Sequence, residues 1–300
     1  MSESNTSIVS FTDVSFFWPD PSTGQIETGS KPVFSGFTAD IPGGFVSLTG
    51  PNGAGKTTFM LLAGARVLPI EGVVRLFGMD TRILSGASSP DGTAPGPGLT
   101  PEVEHRRSLA CSYIYQNMEF EKDSAGELSL AAVLDQVYEG GGLQGNAEDL
   151  KKNVYSVFEL EKLKDRRLDA LSKGEQQRVY LAFSALYGSK SIMMDEPMFA
   201  MEPRQKEKAL DFFKNLCRET PVSVYVSLHE LALTRKYFDT VMLFHPDRSI
   251  DLGTPEEVLT AESLEKAYGV PEAMLYDGEK LTRAAFVEEV DIIKDSFAEK

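Results

Sequence analysis

Three hundred residues with 42% hydrophobic content can hide about three quarters of the unfolded surface on folding, so one large core with a smaller lobe is expected. Thirty Lys and Arg against 45 Asp and Glu leave a formal charge of −15, which repels phosphate backbones and excludes non-specific nucleic-acid binding. The two cysteines, Cys111 and Cys217, sit in apolar settings with no C-x-x-C pair, a pattern that excludes zinc ribbons and disulfide frameworks and suits a reducing compartment.

In chain order, Met1 to Ser10 lacks a basic region followed by an apolar stretch, so no secretory signal is read there. No apolar run reaches the roughly 18 residues of a membrane helix; the best candidate, Phe59 to Ile70, is broken by Arg66 and Pro69. Phe45 to Thr49 reads as a short buried strand that runs into a glycine-rich turn and an apolar helix over Thr57–Ala65. Residues 84–101, rich in Gly, Pro, Ser and Thr, predict an exposed, mobile insertion without chemistry. From Ser129 to Leu160 the pattern is helical, with Leu150, Val154, Val157 and Phe158 on one face and Gly140–Gly142 as the separator. Ser191–Asp195 and Val222–Leu228 are two further apolar strands. The acidic C-terminal stretch carries helical patterns over Ala261–Tyr268 and Thr282–Phe297. Strands separated by helices predict an α/β fold with a mostly parallel sheet, and no internal repeat is found.

The first chemistry-bearing run is Gly50-Pro51-Asn52-Gly53-Ala54-Gly55-Lys56-Thr57, the pattern G-x-x-x-x-G-K-[ST] placed directly after a strand and at the start of a helix. Its glycines let the backbone N–H groups and the helix N-terminus face phosphates, Lys56 adds a positive charge, and Thr57 offers an oxygen to magnesium. No K-x-D follows anywhere, which removes the guanine-reading GTPases. Asp195 and Glu196 place two carboxylates at the end of an apolar strand, where open α/β sheets keep their ligand crevice. Asp195 would hold Mg2+ through water, and Glu196 would activate the attacking water as general base. Leu171-Ser172-Lys173-Gly174-Glu175-Gln176-Gln177-Arg178 opens a helix with an apolar stripe at Val179, Ala182, Phe183 and Leu186. Its Ser172 and Glu175 have capping-box spacing, and a capped N-terminus with Ser and Gly exposed is also an anion site.

This last run resembles the LSGGQ signature of the ABC (ATP-binding cassette) ATPases. In the order that family shows, Gln116 resembles the Q-loop glutamine, Glu202 stands at the D-loop, His229 resembles the switch histidine, and Val14 to Pro19 resembles the aromatic loop, with Trp18 at the adenine-stacking position. The resemblance spans roughly residues 8 to 260. Lys173 in place of the first signature glycine, and Glu202 in place of the D-loop aspartate, depart from the family pattern and bear on the rate of hydrolysis.

The resemblance implies a P-loop fold with a nucleotide-binding core at 1–116 and 165–250, including an N-terminal antiparallel β subdomain. It further implies a helical subdomain at 117–164 and a C-terminal helical tail at 251–300. ATP and Mg2+ are the implied cofactors. ATP would contact Trp18, residues Gly50 to Thr58 and, from the opposite subunit, Ser172, Gly174 and Glu175. Thr57, Asp195 and Gln116 would serve the metal, and Glu196, His229, Gln116 and Lys56 the hydrolysis. The implied partners are a second ATPase subunit and a transmembrane permease, placing the chain on the cytoplasmic face of a membrane. Leu228 to Asp239, Gly253 to Thr260 and Tyr268 to Val270 look like the importer ATPases for iron siderophores, haem and cobalamin. An exporter ATPase with a separate membrane subunit, and a soluble ABC protein without a transport role, are the alternatives at this point.

Overall fold

The structure is a computed structural model that describes residues 7–20, 22–26, 29–89, 96–116, 118, 120, 128–143 and 148–276. The chain opens with β1 (Ser7–Phe16) and β2 (Phe34–Pro42), an antiparallel pair, followed by β3 (Phe45–Thr49) and helix α1 (Lys56–Ala63). Next come β4 (Glu71–Leu76), β5 (Met79–Asp80), the single turn α2 (Thr81–Leu84), α3 (Pro101–Ala110) and β6 (Cys111–Ile114). Helices α4 (Leu130–Glu139), α5 (Glu148–Val157) and α6 (Lys173–Tyr187) precede β7 (Ser191–Asp195) and α7 (Pro203–Glu219). The remainder is β8 (Ser223–Ser227), α8 (Leu231–Tyr237), β9 (Thr240–Phe244), β10 (Ile250–Gly253), α9 (Pro255–Val258) and α10 (Ala261–Tyr268).

Two sheets result. One is antiparallel in the order β2-β1-β4-β5; the other has the order β10-β9-β3-β8-β7-β6 and is parallel except for the edge strand β10. The predicted α/β fold with a mostly parallel core sheet is therefore the fold adopted. The inner strands of the parallel sheet are apolar on both sides because both faces are covered. Alternation then sorts their side chains. Val46, Leu48, Met193, Tyr225, Met242 and Phe244 pack with Phe59 and Met60 of α1 and with the antiparallel sheet. Phe45, Ile192, Met194, Val224 and Val226 pack with α4 to α7 on the other side. Cys111 is fully buried and Cys217 half-buried, both as free thiols, in keeping with their reading as small apolar residues.

Several boundaries shift by a residue or two. Helix α1 begins at Lys56 and stops at Ala63, where Gly64 forms the C-cap and Ala65 turns left-handed at φ 55°. Strand β8 begins at Ser223 rather than Val222. Val154 and Phe158 are buried, and Leu150 and Val157 pack beside them. Helix α3 was not expected; the Thr282–Phe297 pattern lies outside the described residues, as do residues 90–95 of the 84–101 segment. No described helix is long and apolar enough to cross a membrane.

Candidate active site

Parallel strands in one sheet end on the same edge, and here four of them deliver the predicted residues together. Strand β3 ends at Thr49 before Gly50, β7 at Asp195 before Glu196, β8 at Ser227 two residues before His229, and β6 at Ile114 two residues before Gln116. Register fixes their level, since Leu48 and Asp195 both pair with Ser227 and Ile114 pairs with Met194.

The loop from Gly50 to Gly55 depends on glycine at positive φ. Gly50 adopts φ 135° and Gly55, the N-cap of α1, φ 110°. A Cβ at Gly50 would lie 2.4 Å from the Phe244 carbonyl oxygen. Gly55 has no side chain to cap the helix, so the first-turn N–H groups stay available to an anion with the helix dipole behind them. Asn52 and Gly53 are exposed, and the Ala54 N–H donates to the Pro51 carbonyl at 3.3 Å. Lys56 is buried and donates to the carbonyls of Gly50 at 2.7 Å and Pro51 at 3.0 Å. Burial pushes its ammonium pKa below the ordinary value, opposed by the charges of Glu196 and Asp195. The ammonium thus sits inside the loop, close to the space the glycines leave open.

Thr57 donates to Asp195 Oδ2 at 2.6 Å, across 138 residues of sequence. Asp195 is buried, and its other oxygen accepts from Ser227 Oγ at 2.9 Å. A hydroxyl and a carboxylate are hard oxygen donors, and no cluster of three metal-binding side chains exists among the described residues. Such a partial set suits magnesium, which keeps several waters and phosphate oxygens among its ligands.

Glu196 receives both remaining predicted partners. Gln116 Nε2 donates to Glu196 Oε2 at 2.9 Å, and His229 Nε2 lies 2.7 Å from Glu196 Oε1. Trp18 is 47% exposed, its ring edge-on to Phe16 and its Nε1 donating to Thr58 Oγ1 at 3.0 Å. The indole is therefore fixed beside the first turn of α1 while about half its surface stays open.

The signature segment stands apart from this group. No hydrogen bond among the described residues joins Ser172, Gly174 or Glu175 to residues 50–58. The capping box forms, with the Ser172 N–H on Glu175 Oε2 at 2.7 Å and the Glu175 N–H on Ser172 Oγ at 3.4 Å. Arg166 also holds the Glu175 carboxylate, at 3.3 Å. A Cβ at Gly174 would lie 2.8 Å from the Ala200 carbonyl, and the Ala200 N–H donates to Gln177 Oε1 at 2.8 Å. The signature helix is in this way tied to the loop after Glu196. Glu202 ends that loop as the N-cap of α7, its N–H on Gln205 Oε1 at 3.3 Å.

Sequence reading missed three contributors. Ser227 braces Asp195 and accepts the Glu196 N–H at 3.3 Å; its only signal was a polar residue at a strand end. Arg248, which no local pattern marks, donates to the Gly53 carbonyl, and Tyr268, read in the sequence only as part of the importer-like run 268–270, accepts from the Gly50 N–H.

The family model described as "ABC transporter" matches residues 39–199, more than half of the chain. The chain belongs to the ABC transporter family. As an ABC ATPase it is an ATP-binding cassette that hydrolyses ATP for a transporter. The hemin import ATP-binding protein HmuV of Streptomyces coelicolor is 30% identical over 82% of this chain and 81% of that protein. Among solved structures, an ATP-binding subunit of an ABC transporter aligns with TM-score 0.65 and 20% identity, covering 91% of this chain and 99% of that one. A dimeric bacterial ABC transporter cassette aligns with TM-score 0.62 and 18% identity over 82% and 98%. These two structural likenesses speak to the fold of the ABC ATPase.

Proposed function

We propose that this ABC ATPase works as a head-to-tail dimer on the cytoplasmic face of a membrane and energises a separate permease that imports haem, an iron chelate or cobalamin. The observation that carries the catalytic part is the Glu196 carboxylate, with one oxygen on Gln116 and the other at His229, next to Asp195 in contact with Thr57. In this reading the backbone from Gly50 to Thr58 and the Lys56 ammonium hold the phosphates of ATP, and Trp18 stacks on adenine. Thr57, Asp195 and Gln116 would hold magnesium, whose charge would offset that of the phosphates. Glu196 takes the proton of the attacking water, and His229 positions that carboxylate. Ser172, Gly174 and Glu175 complete the site of the opposite subunit. The substrate class is supported by the hemin import relative and by the segments 228–239, 253–260 and 268–270.

Deletion of the chain from its host, followed by uptake assays with labelled haem, ferric siderophore and cobalamin, tests the reading. Loss of one uptake, restored by the wild-type chain and not by Glu196→Gln, is expected. Normal uptake of all three, or restoration by Glu196→Gln, would contradict it.

A further inference from the structure

The segment after His229 reaches back to the nucleotide loop from behind. Helix α10 is anchored by Leu264 and Ala267, which pack with Leu231, Val241, Leu243, Val258 and Leu259. Its last residue, Tyr268, places the phenol oxygen 3.0 Å from the Gly50 nitrogen and 3.1 Å from Thr49 Oγ1. Thr49 is fully buried, so its hydroxyl and the Gly50 N–H depend on Tyr268 for a partner. Gly50 is also the residue whose carbonyl holds Lys56 at 2.7 Å. Its other flank is closed by the Phe244 carbonyl, 2.4 Å from where a Cβ would stand. From the turn between β9 and β10, Arg248 donates to the carbonyl of Gly53 in the same loop.

We propose that Tyr268 is a positioning residue for ATP binding, which fixes the Gly50 peptide and thereby holds the loop in its phosphate-accepting shape. Glycine is the residue with the widest choice of backbone conformations, so a loop that starts on Gly50 at φ 135° needs an external restraint. When the hydroxyl is removed, the loop spends less time in the competent shape, and apparent affinity falls by that fraction. Turnover at saturating ATP is set at Glu196, Gln116 and His229, which follow β7, β6 and β8, whereas the Tyr268 hydroxyl bonds to the residues that follow and end β3. Helix α10 and the loop are consequently linked: whatever moves α10 alters nucleotide affinity.

The inference rests on the reading of residues 50–57 as the phosphate-binding loop. Tyr268→Phe in the full chain is expected to weaken ATP binding in calorimetry by about three- to tenfold, the scale of one lost hydrogen bond. The same variant should show faster amide hydrogen exchange at Gly50, kcat within about twofold of wild type, and a melting temperature lowered by only a few degrees, as expected for one buried hydroxyl lost. Arg248→Met should weaken ATP in the same direction through Gly53. ATP affinity of Tyr268→Phe equal to wild type would overturn the inference, as would a loss of kcat and melting temperature with affinity preserved. Lys56→Ala run in parallel separates the two readings. If it loses ATP binding while Tyr268→Phe does not, the role of Tyr268 alone fails; if it too binds normally, the loop assignment fails.

Discussion

Glu196 sits at φ 48°, a left-handed conformation that costs a residue with a Cβ on the order of 1–3 kcal/mol unless its surroundings enforce it. Here they do: Ser227 Oγ accepts its N–H, and Gln116 and His229 hold its two carboxylate oxygens. The left-handed turn lets Asp195 stay buried at the strand end while the next side chain swings toward the amide and the imidazole. Glu196→Gln retains shape and hydrogen-bonding capacity but cannot take a proton. Turnover should fall by about 10²–10⁴ with ATP binding intact, as measured by phosphate release beside calorimetry. A rate within about twofold of wild type would move the general base to another residue.

Among the elements, α6 carries two roles at one terminus. Ser172 caps the helix through the Glu175 N–H, and its exposed position is where the opposite subunit's nucleotide would meet it. Ser172→Asp separates the roles, because aspartate caps as well as serine but brings a negative charge toward phosphate. Urea unfolding should show stability within about 0.5 kcal/mol of wild type, while ATPase activity drops by about tenfold or more as the charge repels the phosphate. Full activity in Ser172→Asp would remove the signature from the reaction.

Among the elements, those with a continuous local pattern were legible in the sequence and those without one were not. Strands β3, β7 and β8 were visible because continuous apolar runs mark a sheet covered on both faces. The run from Gly50 to Thr57, which we read as the phosphate loop, was visible because its residues are consecutive. Helix α3 was not, since only Val103 is buried and a helix without an apolar stripe leaves no periodic signal. Its markers were Thr100 as N-cap, Pro101 at the first position and acidic Glu102 and Glu104, all of which fit a helix start. The contacts of Thr57 with Asp195, of Arg248 with Gly53 and of Tyr268 with Gly50 join residues 138 to 218 positions apart. Such pairs follow from the order of strands in the sheet, which no local pattern encodes.

For the molecule as a whole, the buried thiols and phenols pull stability in one direction with pH and outnumber the buried Lys56 ammonium, whose lowered pKa acts the other way. Burial raises the pKa of Cys111, Tyr113 and Tyr225, and pushes Cys217 from 9.0 up to about 12. A raised pKa means that the folded chain keeps a proton the unfolded chain has already lost. Stability from these groups is therefore complete below about pH 9 and declines above it, by up to about 1.4 kcal/mol per pH unit for each group. Urea midpoints between pH 8 and pH 11 should fall progressively; a flat profile would show that these side chains are hydrated in the folded state.

The separation of Ser172 and Gly174 from the Lys56, Asp195 and Glu196 group makes a strong demand on the whole molecule. If each site needs the signature of a second copy, one chain holds half of the catalytic groups, and specific activity must follow the dimer fraction set by mass action. The direct measurement is ATPase rate per subunit over a dilution series spanning the dimerisation constant, with ultracentrifugation at each assay concentration. The rate should rise with concentration in parallel with the dimer, and Ser172→Arg should abolish it while monomer ATP binding stays near normal. Full specific activity in a sample shown to be monomeric would contradict the composite site.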